Sequence, residues 1–423
     1  MGAARGRATV AAVWIILAVA YGVYFSFSVF LVPLLEEFGW SRALTAGAFS
    51  MSAVVQGVLA PATGILVDRV GARRVILGGV VVLGAASLLA STINAPWQLY
   101  VYTGVIGAVG LVALGWVPMG VLLSRWFAEG RARMVGLAFS GMGVGVFVIG
   151  PLAQWLIAAL GWRTASALLG IGTVVLLLPI AWTGTRDPAS GERDSSASRD
   201  AAGARVAHTG PPRSADSAAV PAVIEAPPRR GELDEALRDA RFWALWLAYF
   251  FTPLAVFTVF THQVAFAVDL GFDRLLVASI FGVMGLMSSV GRIAFGVLAD
   301  RLGPALAATL SFGCSAGGAC ALLLLETSPH VMWLWGYALL FGLGFGARGP
   351  IITAMATERF GGRRFGLIYG VLNLGNGVGA AIAPWFGGFV HDASGSYRLA
   401  FVSAIVFSVL GAACFWRAAR PAP

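Results

Sequence analysis

The sequence has no lysine, only three cysteines and almost no charge within its long apolar stretches, and each scarcity removes a class of protein. Charged residues make up 12% of the 423 and hydrophobic ones 58%, whereas a soluble domain is nearer roughly a quarter charged. A water-soluble globule is therefore excluded. Cys314, Cys320 and Cys414 all lie in apolar runs, so they form neither a disulfide framework nor a metal-ligand spacing. No paired carboxylates, Ser–His motif or cofactor fingerprint stands out, so neither an enzyme nor a bound cofactor is expected. With lysine absent, the net charge of +9 is carried by 29 arginines. Their distribution argues against nucleic acid as a partner, because most sit in short loops on alternate sides of the apolar runs.

What is present is a series of apolar runs of about twenty residues, each long enough for a bilayer core. Helices are expected over 10–35, 43–67, 74–93, 98–124, 134–160, 164–184, 241–268, 275–299, 304–326, 330–356, 365–390 and 397–418. If the N-terminus is cytoplasmic, 23 arginines lie inside and four outside (Arg42, Arg163, Arg274, Arg398). That bias orients a multi-pass protein of the cell (inner) membrane with both termini cytoplasmic. Arg5 and Arg7 ahead of an apolar run also fit a cleaved leader. The run continues to about Leu35, too long for one, and the first helix is needed as partner to the seventh.

The expected fold class is an all-α membrane protein, with twelve transmembrane helices in two six-helix bundles. The organisation reads as an N-terminal bundle over 1–184, a disordered cytoplasmic linker over 185–231 and a C-terminal part over 232–423. The linker is rich in Ser, Ala, Pro and Arg and has too few large apolar groups to fold. Glu232 to Trp243 reads as a short amphipathic surface helix opening the C-terminal part.

The chain repeats itself. Gly39 to Gly71 lies without a gap on Gly271 to Gly303, 232 residues later, with 12 of 33 positions identical, including Arg42, Asp68, Arg69 and Gly71. The same offset carries Gly110, Leu111 and Pro118 onto Gly342, Leu343 and Pro350. Two six-helix halves in one orientation, joined by a long inner loop, make the plan of a two-domain rocker.

Gly64-x-Leu66-x-Asp68-Arg69-x-Gly71-x-Arg73-Arg74, with its degenerate copy ending in Asp300 and Arg301, resembles the signature loop of the major facilitator superfamily. The resemblance implies a gating latch on the cytoplasmic side; a role restricted to anchoring topology is the alternative. Tyr100-Val101-x-x-Gly104 with Gly107 and Gly110, then Arg125-Trp126-Phe127 with Arg131, Gly136, Gly141 and Gly145, is similar to the monocarboxylate transporter family and its relatives, the oxalate–formate antiporters. In that family an arginine of the eighth helix binds substrate, and Arg292 stands there. Where mammalian members carry a coupling aspartate four residues earlier, this chain has Ser288, and Phe25 replaces the family's lysine of the first helix.

Two arginines, Arg292 and Arg348, fall inside apolar helices, at an expected depth of about 12–14 Å from the inner end. An intramembrane arginine costs about 2.5–3.5 kcal/mol even on the mildest scale, so it is rarely idle. The acidic residues all lie at helix ends, in loops or in the linker, and a substrate carboxylate is the simplest missing counter-ion. The competing reading is that Arg348 caps carbonyls near Pro350 and that Arg292 bonds backbone. His262 is the one imidazole deep in an apolar run, and it stands either as the coupled proton site or as a structural residue. Trp116, the repeat-mate of Arg348, joins Tyr24, Phe25, Ser288, Asn373 and Asn376 as candidate cavity residues.

The reading is a monomeric porter for a small organic anion such as lactate or pyruvate. Its partners are that carboxylate, a proton or counter-anion, and membrane lipid. A multidrug exporter would want intramembrane acids, and a membrane sensor would want a folded extra domain.

Overall fold

The computed structural model describes residues 2–127, 131–186, 232–360 and 365–419. Most of the expected linker lies outside the described residues, as does the short stretch 128–130.

Among the described residues every regular element is helical; eleven spans are long and apolar enough to cross a membrane, and Phe365–Ser394 makes the twelfth. The first six spans are Gly2–Phe25 with Phe27–Phe38, Arg42–Val70, Ala72–Ala90, Pro96–Leu99 running through to Trp116–Trp126, Arg131–Phe139 with Gly141–Leu160, and Trp162–Gly184. After the short helix Glu232–Arg238 come Ala240–Phe260 with Gln263–Asp269, Arg274–Leu302, Pro304–Thr327, Val331–Phe345 with Arg348–Phe360, Phe365–Ser394 and Arg398–Ala419. The short helix buries Ala236, packs Leu237 against the second bundle, and its Leu237 carbonyl accepts from the Trp243 indole at 2.8 Å.

Glycine lets these helices approach closely, since lipid provides little hydrophobic drive between them and packing must supply it. A Cβ on Gly145 of the fifth span would fall 1.7 Å from the Ala18 carbonyl oxygen, and one on Gly141 would fall 2.4 Å from that of Trp14. The i, i+4 spacing of the two glycines therefore seats the fifth span directly on the backbone of the first. Gly145→Val is expected to cost about 1–3 kcal/mol by overpacking, read as a lower melting temperature in detergent.

Five spans are broken, and the breaks shape the interior. The fourth opens at Leu114–Gly115 and the tenth at Gly346–Ala347, again 232 residues apart. Others fall at Ser26, Ser140 and Thr261–His262. Each break frees carbonyls that need donors in an apolar setting, and neighbouring helices provide them. Ser28 donates at 2.8 Å to both Phe260 and Thr261 of the seventh span. Ser289 of the eighth donates to Ser140 of the fifth at 2.7 Å. The halves are therefore stitched together where their helices are interrupted.

The face opposite the termini is closed. Arg42 of the second span pairs with Asp269 at 2.7 Å, its backbone N–H donates to Asp392, and Arg274 of the eighth span pairs with Glu36. Trp385 N–H donates to Ser50 Oγ at 3.1 Å across the same seam. Towards the termini the halves part: a Cβ on Gly136 or Gly296 would meet nothing within 4 Å, and Leu137, Ile293 and Val297 are exposed. On that side Asp68, Arg69, Arg74, Asp300 and Arg301 are exposed and have no ion-pair partner among the described residues. Arg73 turns to its own bundle, donating to the Trp182 carbonyl at 2.7 Å and lying over the indole ring.

Candidate functional site

Arg292 lies in the eighth span at the level where the closed seam gives way to the open one. Its Nη1 donates to the Phe139 carbonyl at 2.8 Å, across the two halves and at the break of the fifth span. Among the described residues this is its one hydrogen bond, and it has no ion-pair partner. Its Nη2 and Nε lie 3.0 and 3.1 Å from where a Cβ of Gly346 would stand, with the Ser288 carbonyl 3.2 Å from the same point. Glycine at the break of the tenth span therefore leaves the space that the guanidinium occupies. Gly346→Ala is expected to displace the head group by a few tenths of an ångström and to weaken anion binding about tenfold, a loss of about 1.4 kcal/mol, measured by titration calorimetry.

The aromatic wall of the site comes from both halves. Trp116 stacks on Phe139, ring centroids 4.0 Å apart and planes at 19°, yet stays 52% exposed. It thus presents an open ring beside the residue that holds Arg292. Tyr21 places its hydroxyl 3.4 Å from the Cβ position of Gly115, the repeat-mate of Ala347. Above these, towards the closed face, Phe25 packs on Phe260 at 4.9 Å and on Phe345 at 6.2 Å, with Phe257 completing the cluster. This apolar plug separates the Arg292 level from the far side. Phe25 is therefore in the roof of the site.

The remaining candidates are more dispersed. The Tyr24 hydroxyl is bonded to Ser52 at 2.7 Å and to Gln56 at 3.0 Å, tying the first span to the second. Ser288 Oγ is spent on the Gly285 carbonyl of its own helix at 2.6 Å. Asn373 and Asn376 are half-buried in the eleventh span, and no hydrogen bond joins them to Arg292 among the described residues.

Arg348 is placed differently from the expectation of a shared anion site. It is fully buried and lies over the Phe312 ring at 4.2 Å, with Nη2 donating to Ser315 and, at 2.7 Å, to the Gly344 carbonyl. Phe312 and Ser315 belong to the ninth span, so the side chain points back into its own bundle. Nη2 caps a carbonyl freed by the break beside it, as the competing reading expects, while Nε and Nη1 are buried without a hydrogen-bond partner among the described residues. Arg292 and Trp116 are brought together by way of Phe139; Arg348 is not among them.

His262 is also elsewhere. It sits buried at the break of the seventh span, near the closed face, with Nε2 2.8 Å from the Pro384 carbonyl and Nδ1 3.2 Å from the Tyr397 hydroxyl. The residues that sequence reasoning missed are Phe139, Gly346 and Tyr397. Gly346 carried a signal, a glycine two residues before the charge at Arg348 inside an apolar run; Phe139 and Tyr397 act through contacts with distant spans.

No group of three or more His, Cys, Asp or Glu suited to a metal occurs among the described residues. The arrangement is a cation between the two bundles beside a half-exposed aromatic ring, suited to holding a small anion rather than to bond-breaking chemistry.

The Major Facilitator Superfamily model matches residues 13–371 and 337–423. The chain belongs to the major facilitator superfamily. It is a multi-pass membrane transporter, not an enzyme. Monocarboxylate transporter 13 of Rattus norvegicus is 26% identical over 400 residues, covering 93% of this chain and 84% of the relative. Monocarboxylate transporter 3 of the same organism is 28% identical over 428 residues, covering 99% and 82%. A bacterial homologue of the human lysosomal transporter Spinster, solved in an inward-facing and unoccupied conformation, superposes with a TM-score of 0.74 at 15% identity, covering 98% of this chain and 97% of that one. The nucleoside transporter NupG superposes at 0.73 with 10% identity, covering 97% and 100%. At such identities the two structures speak for the facilitator fold alone.

Proposed function

We propose that this transporter carries a small monocarboxylate such as lactate or pyruvate across the cell (inner) membrane by alternating access. Arg292 is the group that receives the carboxylate. The observation that carries this reading is a guanidinium between the two bundles, held by a single backbone bond and with no acid beside it among the described residues. A guanidinium fork suits a carboxylate's two oxygens, and the Trp116 ring offers an apolar face to a short carbon chain. The likeness to monocarboxylate transporters over nearly the whole chain supports the same substrate class.

The protein acts as a monomer with both termini cytoplasmic, the orientation favoured by its arginine distribution. The open face is then cytoplasmic, and the exposed Asp68, Arg69, Arg74, Asp300 and Arg301, with Arg73 once it leaves Trp182, form the latch that closes it in the opposite state. Proton symport runs through His262, which replaces the absent coupling aspartate at Ser288.

Purified protein in liposomes is expected to accumulate labelled lactate or pyruvate when the lumen is alkaline relative to the bath. Uptake that ignores the pH gradient but requires a carboxylate inside identifies an exchanger. Failure with lactate, pyruvate, formate and oxalate alike overturns the substrate class.

A further inference from the structure

We infer that Tyr397 is a positioning residue that makes the closed seam answer to the protonation of His262. The inference rests on the porter reading above, but its test needs no substrate.

The seam is built by repeat-mates. Arg42 and Arg274 are 232 residues apart, as are Glu37 and Asp269. Arg42 reaches from the first half to Asp269, and Arg274 reaches from the second to Glu36. The two ion pairs are thus near-equivalent and reciprocal, and opening this face must break both. Tyr397, at the head of the twelfth span, is where one of them touches the imidazole. It is 2% exposed, and Arg42 Nη1 donates to its hydroxyl at 2.7 Å while lying 5.2 Å above its ring.

The tautomer is decided from the other side of the ring. His262 Nε2 faces the Pro384 carbonyl at 2.8 Å, and a carbonyl only accepts, so Nε2 carries the hydrogen. Nδ1 then presents a lone pair, and the Tyr397 hydroxyl, 3.2 Å away, donates to it. The donors therefore run in one direction, from Arg42 to Tyr397 to His262 to Pro384. A second proton on the ring has no acceptor in this order. Nδ1–H would meet the tyrosine oxygen, whose own hydrogen would have to turn into packed surroundings, and an imidazolium would stand one hydroxyl from the Arg42 cation.

The other charged and titratable groups here do not relieve this. Asp269 is engaged by Arg42 Nη2, and Asp392 accepts the N–H groups of Arg42 and Ala43 at 3.0 and 2.8 Å. His391 packs on Tyr397 with centroids 4.4 Å apart and lies 4.0 Å from Asp392. Neither carboxylate bonds the His262 ring. The closed seam is thus compatible with neutral His262 and is released as pH falls and the ring gains its proton.

The experiment is a spin-label distance measurement on full-length protein in lipid nanodiscs without substrate. The native cysteines are replaced, and labels go on Leu160→Cys and Met332→Cys, exposed at the closed face in opposite halves. Lowering the pH from about 8 to about 4, far enough to charge a fully buried imidazole, is expected to shift the population towards longer distances. Tyr397→Phe keeps the ring under Arg42 but removes the hydroxyl, and is expected to lose the pH-dependent shift. His262→Gln is expected to stay short at every pH. If Tyr397→Phe does not fold, Arg42→Gln, which takes the cation from the same hydroxyl, is expected to lose the shift instead. A parent protein with no shift, or a Tyr397 or Arg42 variant that shifts like the parent, overturns the inference. Absent carboxylate uptake would overturn the proposed substrate and leave these distances as they are.

Discussion

Arg292→Gln is expected to shift saturable uptake of labelled lactate or pyruvate by liposomes to at least about tenfold higher concentration, while the protein still elutes as a monodisperse species. At an effective dielectric near about 20 a guanidinium–carboxylate contact is worth up to about 4 kcal/mol before desolvation. A charge-assisted hydrogen bond retains about 1.5–3 kcal/mol of that, so affinity should fall between about tenfold and about 150-fold. Folding should tolerate the change, because Arg292 makes one bond to the rest of the protein, to the Phe139 carbonyl, and glutamine can still donate there. Arg292→Lys should recover part of the affinity, since the charge returns without the two-pronged geometry. Unchanged binding in both variants would place the anion elsewhere.

Arg42→Glu is expected to hold open the face that the structure shows closed, and to lower transport at least about tenfold. Arg42 pairs with Asp269 and donates to Tyr397, and its backbone N–H is held by Asp392. Reversing its sign sets a carboxylate beside two others in a partly buried seam. Asp269 is 46% exposed, so losing the pair costs about 0.2–1 kcal/mol, and the like-charge contact that replaces it adds a similar penalty. The readout is a membrane-impermeant thiol reagent applied from the closed side to Ser50→Cys, a position buried beneath the seam. Labelling should be slow in the parent and fast with Arg42→Glu. Adding Asp269→Arg to Arg42→Glu should slow it again by restoring one opposite-charge pair. Equal labelling rates in all three would show that these charges do not close the seam.

The legible parts of the chain were those set by composition and spacing. Twelve spans could be read because every stretch crossing a bilayer must be apolar and must satisfy its own backbone. The duplication was visible because repeat positions such as Gly39 and Gly271 serve the same backbone need, both adopting a positive φ at the end of a helix. Arg292 stood out because a charge in an apolar run is expensive wherever its head group ends up. The short helix over 232–238 was foreseen as amphipathic; that it packs on the second bundle was not, since periodicity gives a face and not its partner.

Arg348 shows where such reading stops. It lies at the same expected depth as Arg292, on a span of the same half, and sequence alone treats the two alike. One turns between the bundles and the other turns back over Phe312, a difference made by the break at Gly346–Ala347 and by which neighbour stands behind it. His262, likewise, was identified as buried, but the hydroxyl that faces it comes from Tyr397, 135 residues later.

The sequence by itself determined the membrane setting, the twelve-span repeat and the presence of a cation without a fixed counter-charge, because hydropathy, spacing and charge are local properties of the chain. Tertiary structure alone decided which arginine lies between the bundles, which face is shut and which residues share the seam. Those depend on helix rotation and on contacts between halves, where a turn of about 100° per residue sends neighbouring side chains to opposite sides.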